Sequence, residues 1–594
     1  MSYLHYLKNM IKKYYSLLLI VALLLFVGFW HKELLGDRLL ESDDYQHHAV
    51  RTANYYLALR QGQFPVRWAP NLNEGYGYPA FNYMYPLPYM VSSFFHFAGA
   101  SVQQSVNLAM LSAALLATTT SYLLIKYLTK NNLAAITGAA IYTLSPYPLL
   151  NIFWRGAIGE VFFVAFVPLL LLSLIIFFKS RIPRLKKIGL LLTSLSIALL
   201  ILSHFPSLTL LFPITLLLIM ALVFFDKKKD SIKTFSAVCV AGLLGILMSA
   251  WYWLPAFLEK NLITYETGTS LTQYQSHFVS LISLFDIRRT IQSSEYFVEV
   301  TQIGAAGLLI AVLTIFTLYK TLKTKQNLSK KIFIVWSLLV FLISIILMIP
   351  LSRSLWDNFK IFQLVQYPWR ILWMSMLAVV VMFASLISNF SKIQQLLITL
   401  AIFVLVFWSA VTYTQPKGYF SRADFDWYEM GTTGSSFDEH QPIWSQKPYY
   451  FPEELMYVDV SRLPLLAESE SKDQLSNIVL PLSELDPNIQ RLDGTKVMYQ
   501  LENEQKILVL HKRLFFPGWT VAVNEAPAKP LIDVSRYEGI MAVKLPTGAN
   551  NVSVQFTGRT KIRLTGEIIS IISILIFGIT SALPAKLFVK KLSK

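Results

Sequence analysis

The chain has 594 residues, of which 54% are hydrophobic and only 15% charged, and its net charge is +17. Soluble domains carry about 25% charged residues, so a purely soluble protein is excluded. The basic residues sit in short clusters between apolar runs, which argues against nucleic acid as the partner. One cysteine, Cys239, excludes a disulfide framework and a cysteine zinc site.

In chain order, the first apolar run, 14–31, follows Lys8, Lys12 and Lys13 as a signal peptide would. Trp30-His31-Lys32-Glu33 offers no small-x-small cleavage site, so the run is read as a retained first helix. Eleven further runs are long enough for a bilayer core of roughly 30 Å: 103–127, 131–150, 157–178, 185–203, 207–225, 233–256, 301–322, 331–350, 369–389, 393–413 and 565–587. The loops between them are of two kinds. Short basic ones hold Lys126 and Lys130, Lys179 to Lys187, Lys227 to Lys233 and Lys320 to Lys331, and the tail adds Lys586, Lys590, Lys591 and Lys594. Long aromatic ones are 32–102, 257–300, 351–368 and 414–564. Alternation puts every basic loop and both termini in the cytoplasm and the long segments outside. It requires that 80–100 not cross; Pro79, Pro86 and Pro88 break its start, and it is read as an interfacial helix.

Three regions follow. Residues 1–413 form a transmembrane module with the first outer loop 32–102. Residues 414–564 form an extracytoplasmic, mixed or β-rich domain, with alternating strand-like runs at 496–501, 506–511, 520–523, 540–545 and 552–556. Residues 565–594 form the last helix and a basic tail. The fold class expected is an α-helical polytopic membrane protein of about twelve transmembrane helices with a C-terminal outer β-rich domain.

The first outer loop carries Asp43-Asp44-Tyr45-Gln46-His47-His48-Ala49-Val50-Arg51. Asp44, His48 and Arg51 share one face of a helix that Gly62 stops. Two carboxylates there suit either a capped, solvated helix start or a general base. Arg155, Glu160, His204, Gln366, Trp369 and Arg370 all fall at the same outer membrane level. Together they suit group transfer from a lipid phosphate: a carboxylate takes a proton from the acceptor and arginine forks hold the leaving phosphate. Tyr78 and Tyr85, with Trp68, Tyr76 and Tyr83, offer flat faces to sugars or make an interfacial aromatic belt.

These motifs resemble a known family. Asp44 to Arg51, then Gly62-Gln-Phe-Pro65-Val-Arg67-Trp68, Gly75-Tyr-Gly77-Tyr78-Pro79 and Tyr85-Pro-Leu-Pro88-Tyr89 look like the first outer loop of a bacterial membrane family called 6-pyruvoyl-tetrahydropterin synthase-related. Trp154-Arg155-Gly156 with Glu160, Ser203-His204-Phe205-Pro206, Trp253-Leu-Pro255 and Gln366-Tyr-Pro368-Trp369-Arg370 match it further. Phe516-Pro517-Gly518-Trp519 through Gly539 resembles the outer domain of large lipoteichoic-acid-type glycosyltransferase relatives. The family resembles the GT-C superfamily of glycosyltransferases, which implies a GT-C-like fold, an acid on the first outer loop and a polyprenyl-phosphate sugar donor. Carried over, Asp44 is the catalytic base and Asp43 its neighbour; the pair departs from the Asp-Glu pattern common there, which leaves the choice between them open. Arg155, Arg370, His204 and Arg51 would hold the donor phosphate, and His48, Glu160, Tyr78, Tyr85, Gln366 and Trp369 the substrates. No WWDYG-like motif is present, so transfer of a preassembled oligosaccharide to asparagine is not expected. Pterin-synthase chemistry would need a soluble histidine zinc site, which nine scattered histidines among apolar helices do not suggest.

The function expected is therefore an inverting, plasma-membrane glycosyltransferase. Its partners would be a polyprenyl-phosphate-linked sugar, a cell-surface glycan or lipid acceptor, and membrane lipid. No cofactor is expected, and a divalent metal is left open. A lipid or polysaccharide transporter and a non-catalytic envelope assembly protein are the alternatives; a transporter would place ionisable groups and broken helices near mid-bilayer.

Overall fold

Capping residues mark off the apolar runs as helices. Ser101 accepts from the Gln104 amide and opens Val102–Thr129, which Lys130 ends in a left-handed conformation. Ser391 and Gln394 make a capping box ahead of Lys392–Tyr413, and Thr560 caps Lys561–Ala582. The computed structural model describes residues 2–224, 231–264, 273–285, 302–323, 328–434, 438–445, 451–469 and 471–585.

Among the described residues, eight helices are long and apolar enough to cross a membrane: Val102–Thr129, Ile158–Lys179, Pro183–Ser203, Phe205–Val223, Lys330–Met348, Pro368–Asn389, Lys392–Tyr413 and Lys561–Ala582. Two more expected spans are bent pairs. Asn132–Leu144 and Pro146–Arg155 meet at 43°, and Ile232–Met248 and Ala250–Leu258 at 72°. The spans expected at 14–31 and 301–322 lie on the shorter apolar stretches Tyr15–Trp30 and Ala305–Tyr319. All twelve expected segments thus fall on apolar helices, but hydropathy did not reveal the bends. Pro146, which has no amide hydrogen to donate, follows the first. At the second, the Trp251 amide freed by the break donates to Ser570 Oγ of the last helix at 2.8 Å. The basic residues Lys227, Lys228, Lys229 and Lys325, the tail from Lys586, and 265–272 and 286–300 of the second outer segment lie outside the described residues.

The stretch 80–100 forms two short helices, Ala80–Tyr83 and Leu87–Phe97. The longer has 11 residues, about 16 Å at 1.5 Å per residue, roughly half a bilayer core.

Nine strands between 455 and 556 form two antiparallel sheets. One runs Ile540–Leu545, Ile507–Leu514, Leu455–Asp459, Leu480–Pro481; the other runs Asn488–Leu492, Lys496–Asn503, Gly548–Phe556, Trp519–Val523, Ala526–Ala528. Lys496–Asn503 alternates buried and exposed residues, the period of a strand with one covered face. Residues 414–434 and 438–445 join neither sheet and lie across the first outer loop. Leu39–Leu40 pairs with Tyr419–Phe420, the Asn73 and Glu74 amides donate to the carbonyls of Thr432 and Gly431, and the His440 amide donates to the Tyr78 hydroxyl at 2.8 Å.

Candidate active site

The first outer loop places the acids at the start of the helix Tyr45–Arg60. The Asp43 and Asp44 amides donate to the carbonyls of Trp154 and Arg155 at 3.4 and 2.9 Å, which ties this helix start to the end of a bent span. Gly156 stands at the crossing with φ +72; a Cβ there would come within 2.9 Å of the Tyr45 amide nitrogen, so only glycine fits both the conformation and the space. Asp44 occupies the N-cap position, yet its carboxylate makes no cap hydrogen bond. The Tyr45 amide donates instead to Ser42 Oγ at 3.3 Å, so the acid is not consumed in holding the helix start.

One turn along, His48 and Arg51 converge on Tyr89. His48 Nδ1 lies 2.9 Å and Arg51 Nη1 3.3 Å from the Tyr89 hydroxyl. Burial, then the neighbouring Arg51 and His47, hold the His48 imidazole well below its usual range, which favours its neutral form. The Asp43 carboxyl is pushed up to about 6, first because the surrounding protein removes water and then because Asp44 repels a second negative charge; Lys417 and Arg155 pull the other way.

The second half of the site is a buried ion cluster. Arg155 grips Glu160 with two parallel bonds, Nη2 to Oε1 at 3.0 Å and Nη1 to Oε2 at 3.1 Å. Arg370 Nε approaches Oε1 at 3.1 Å, and the Tyr147 hydroxyl donates to Oε2 at 2.7 Å. Asn151 accepts from Arg155 Nη1 and Gln366 from Arg370 Nη1. Each guanidinium also lies on an aromatic ring, Arg155 on Trp369 at 4.5 Å and Arg370 on Tyr367 at 4.7 Å, and these two rings stack at 5.4 Å. Trp369 Nε1 reaches His277 Nδ1 at 3.4 Å.

Tyr85 joins the two halves. Gly159, with no side chain, lets its ring lie over the start of Ile158–Lys179: a Cβ there would fall 2.5 Å from Tyr85 Cζ. The same ring stacks on Tyr89 at 6.1 Å and lies 5.7 Å from His204, whose Nδ1 bonds Ser207 Oγ at 2.8 Å. Burial raises the Tyr85 phenol well above its usual value, Tyr89 adds to this, and Asp44 and Glu160 both bear on it against Arg51.

Of the residues singled out in the sequence, Asp44, His48, Arg51, Tyr85, Arg155, Glu160, His204, Gln366, Trp369 and Arg370 therefore form one continuous set, with Asp43 at its edge. Tyr78 lies one layer away, under His440. Gln366 accepts from Arg370, and the Trp369 ring lies under Arg155. Tyr147 and Asn151, on the turns after the break at Ser145, and His277 and Tyr367 were not singled out; neutral polar residues in aromatic surroundings gave no sign of contact with an ion cluster. Among the described residues, no three His, Cys, Asp or Glu side chains gather as a metal would need.

The profile of a family described as 6-pyruvoyl-tetrahydropterin synthase related domain, membrane protein, matches residues 81–416. The matched stretch contains Tyr85, Arg155, Glu160, His204 and Arg370, while the Asp43-Asp44 pair precedes it. No curated protein matches the sequence. Among solved structures, the chain is similar to the mycobacterial arabinofuranosyltransferase AftD at 15% identity and a TM-score of 0.44, over 68% of this chain and 27% of that one. It is also similar to the Archaeoglobus fulgidus oligosaccharyltransferase with zinc and sulfate, at 14% identity and TM-score 0.46, over 72% and 59%. A third is ArnT from Cupriavidus metallidurans bound to undecaprenyl phosphate, at 12% identity and TM-score 0.30, over 63% and 77%. The chain spans less than two thirds of the length of the first two.

Proposed function

Since the chain belongs to the 6-pyruvoyl-tetrahydropterin synthase related family of membrane proteins, we propose that its active site lies among the polar residues gathered at the ends of its apolar helices, and that it is an inverting glycosyltransferase. It moves a sugar from a polyprenyl-phosphate donor to a glycan or lipid acceptor on the outer side of the plasma membrane. Asp44 is the general base that takes the acceptor proton, Asp43 supports it, and Arg155 and Arg370 stabilise the departing phosphate. The supporting observation is the junction at Tyr85, where a carboxylate free of capping duty stands beside a buried cluster with more arginine than glutamate. Attack and departure need these two opposite charges within one ligand's length.

The bends at Ser145 and Ser249 favour the transporter alternative, because broken helices are what such proteins use. Neither break brings an Asp, Glu, Lys, Arg or His with it: the first span has none before Arg155 at its end, and the second has none between Lys233 and Glu259. The enzyme reading therefore stands ahead. The test compares surface glycans and glycolipids of a deletion strain with those of a strain carrying Asp44→Asn. Identical losses support the transferase; a normal glycan profile in the Asp44→Asn strain, with defects only in the deletion, removes Asp44 from the chemistry.

A further inference from the structure

The ion cluster has an arithmetic that bears on which phosphate it accepts. Arg155 and Arg370 carry two positive charges and Glu160 one negative, so the cluster has a surplus of one. Glu160 is not a loose neighbour. Its two oxygens accept twice from Arg155 and once from Tyr147, Arg370 Nε stands 3.1 Å from Oε1 as an ion pair, and its side chain is only 6% exposed. Arg370 keeps 15% of its side chain exposed, whereas Arg155 keeps 4%. An anion arriving at the cluster therefore meets Arg370 first, with half of the local positive charge already cancelled. The next charges outward add no surplus: the carboxylates Asp43 and Asp44 stand against the cations Lys417 and Arg51.

We propose that Glu160 is a built-in counter-anion that sets the charge of the donor, so that the site takes a phosphodiester with one negative charge and rejects a diphosphate with two. The inference rests on the donor reading above and deepens it: the leaving group is a lipid monophosphate, and Glu160 is a specificity-determining residue and not a ligand of the sugar. A second phosphate would enter a buried site without a partner charge, and an unpaired buried charge is costly. Gln366 accepts from Arg370 Nη1 at 2.6 Å and is the natural place to change the count from the other side.

The test uses the full chain in lipid nanodiscs and two synthetic amphiphiles of one tail, farnesyl methyl phosphate and P1-farnesyl P2-methyl diphosphate, which carry one and two negative charges at neutral pH. The wild type is expected to bind the monophosphate diester at least about tenfold more tightly, as an unmatched charge in a site of low effective dielectric requires. Glu160→Gln keeps the shape, can still accept from Arg155, and raises the surplus to two, so it should bring the ratio to unity or reverse it. Gln366→Glu lowers the surplus to zero and should weaken the monophosphate diester about tenfold or more. Equal binding of both amphiphiles by the wild type overturns the proposal, as does a Glu160→Gln protein that stays monodisperse with an unchanged ratio. If Glu160→Gln does not stay folded, Gln366→Glu decides: unchanged monophosphate binding overturns the proposal. Binding of neither amphiphile by the wild type removes the donor reading itself, and the proposal falls with it.

Discussion

Two buried arginine–glutamate clusters are built from the same side chains and are arranged to opposite ends. In the one described above, two arginines share a single glutamate, one arginine is partly open, and two carboxylates wait nearby. In the other, Arg563 Nε meets Glu259 Oε2 at 2.8 Å with both side chains at or below 3% exposure, and Arg67 Nη2 meets Glu567 Oε1 at 3.1 Å. Two cations match two anions there. Glu259 also accepts from Asn82 at 2.9 Å and Thr560 at 2.7 Å, while Arg67 and Arg563 donate to the carbonyls of Trp251 and Pro517 at 2.8 Å. This second cluster ties together the end of a bent span, the first outer loop, the last helix and the β-rich domain. The comparison teaches that buried charge is no sign of chemistry by itself. A cluster whose charges balance is a fastening; one with a charge left over is where a ligand can supply the missing charge.

The largest effect that would break this contrast is on rate. Asp44→Asn should lower transfer by on the order of 10²–10⁴, the usual cost of losing a general base. Because Asp44 makes no cap hydrogen bond, the thermal midpoint should not move. A large loss of stability with it would make the acid a structural group after all. Next comes the fastening. Glu259→Ala strands Arg563 in a buried site and should cost about 3–5 kcal/mol of stability, read as a lowered unfolding midpoint. Replacing both partners with methionine should recover much of that loss, since a well-packed apolar pair often equals a buried ion pair. Smaller again is a change of fork: Arg155→Lys keeps the surplus charge but loses the paired bonds to Glu160, and should slow transfer by about tenfold, with a lesser loss for Arg370→Lys, because Arg370 meets Glu160 as an ion pair and not through paired hydrogen bonds. Full activity in both lysine variants would reduce these arginines to anchors.

How far each cluster could be read in the sequence follows from the same contrast. The helices were legible, because a run of 18 or more apolar residues has few other uses, and the strands at 496–501 and 540–545 showed their alternation. Arg155, Glu160 and Arg370 were legible as charges stranded at the ends of apolar runs. Their pairing was not, since 5 and 210 positions separate Glu160 from its partners and only packing of the bent span against Pro368–Asn389 closes the set. The fastening was missed altogether. Arg67 was quoted only as part of a motif, Glu259 sits in a polar loop, and Arg563 and Glu567 read as the edge of the last helix. The strands at 455–459, 480–481, 488–492 and 526–528 escaped because they are short or, as with Asn488–Leu492, exposed throughout.

The smallest effect concerns Asp43 and sharpens its division from Asp44. Its carboxyl is raised from 3.8 to about 6 in the folded chain, by burial first and by Asp44 second. A carboxyl raised on folding binds its proton more tightly in the native state, so it contributes stability that is fully present below about pH 4 and is lost as the pH rises through 6. Asp43→Asn never bears the charge and escapes that loss. Thermal unfolding of the two proteins should therefore coincide at low pH and separate above pH 6, with the variant slightly the more stable; the side chain is exposed enough for solvent to keep the gap small. Transfer by the wild type should fall as the pH drops through 6, where the proton on Asp43 changes the field at Asp44. In Asp43→Asn that step should vanish while most of the rate survives. A step that persists near 6 in Asp43→Asn would assign it to Asp44 or to the substrate, and a dead Asp43→Asn beside an active Asp44→Asn would exchange the roles of the two acids.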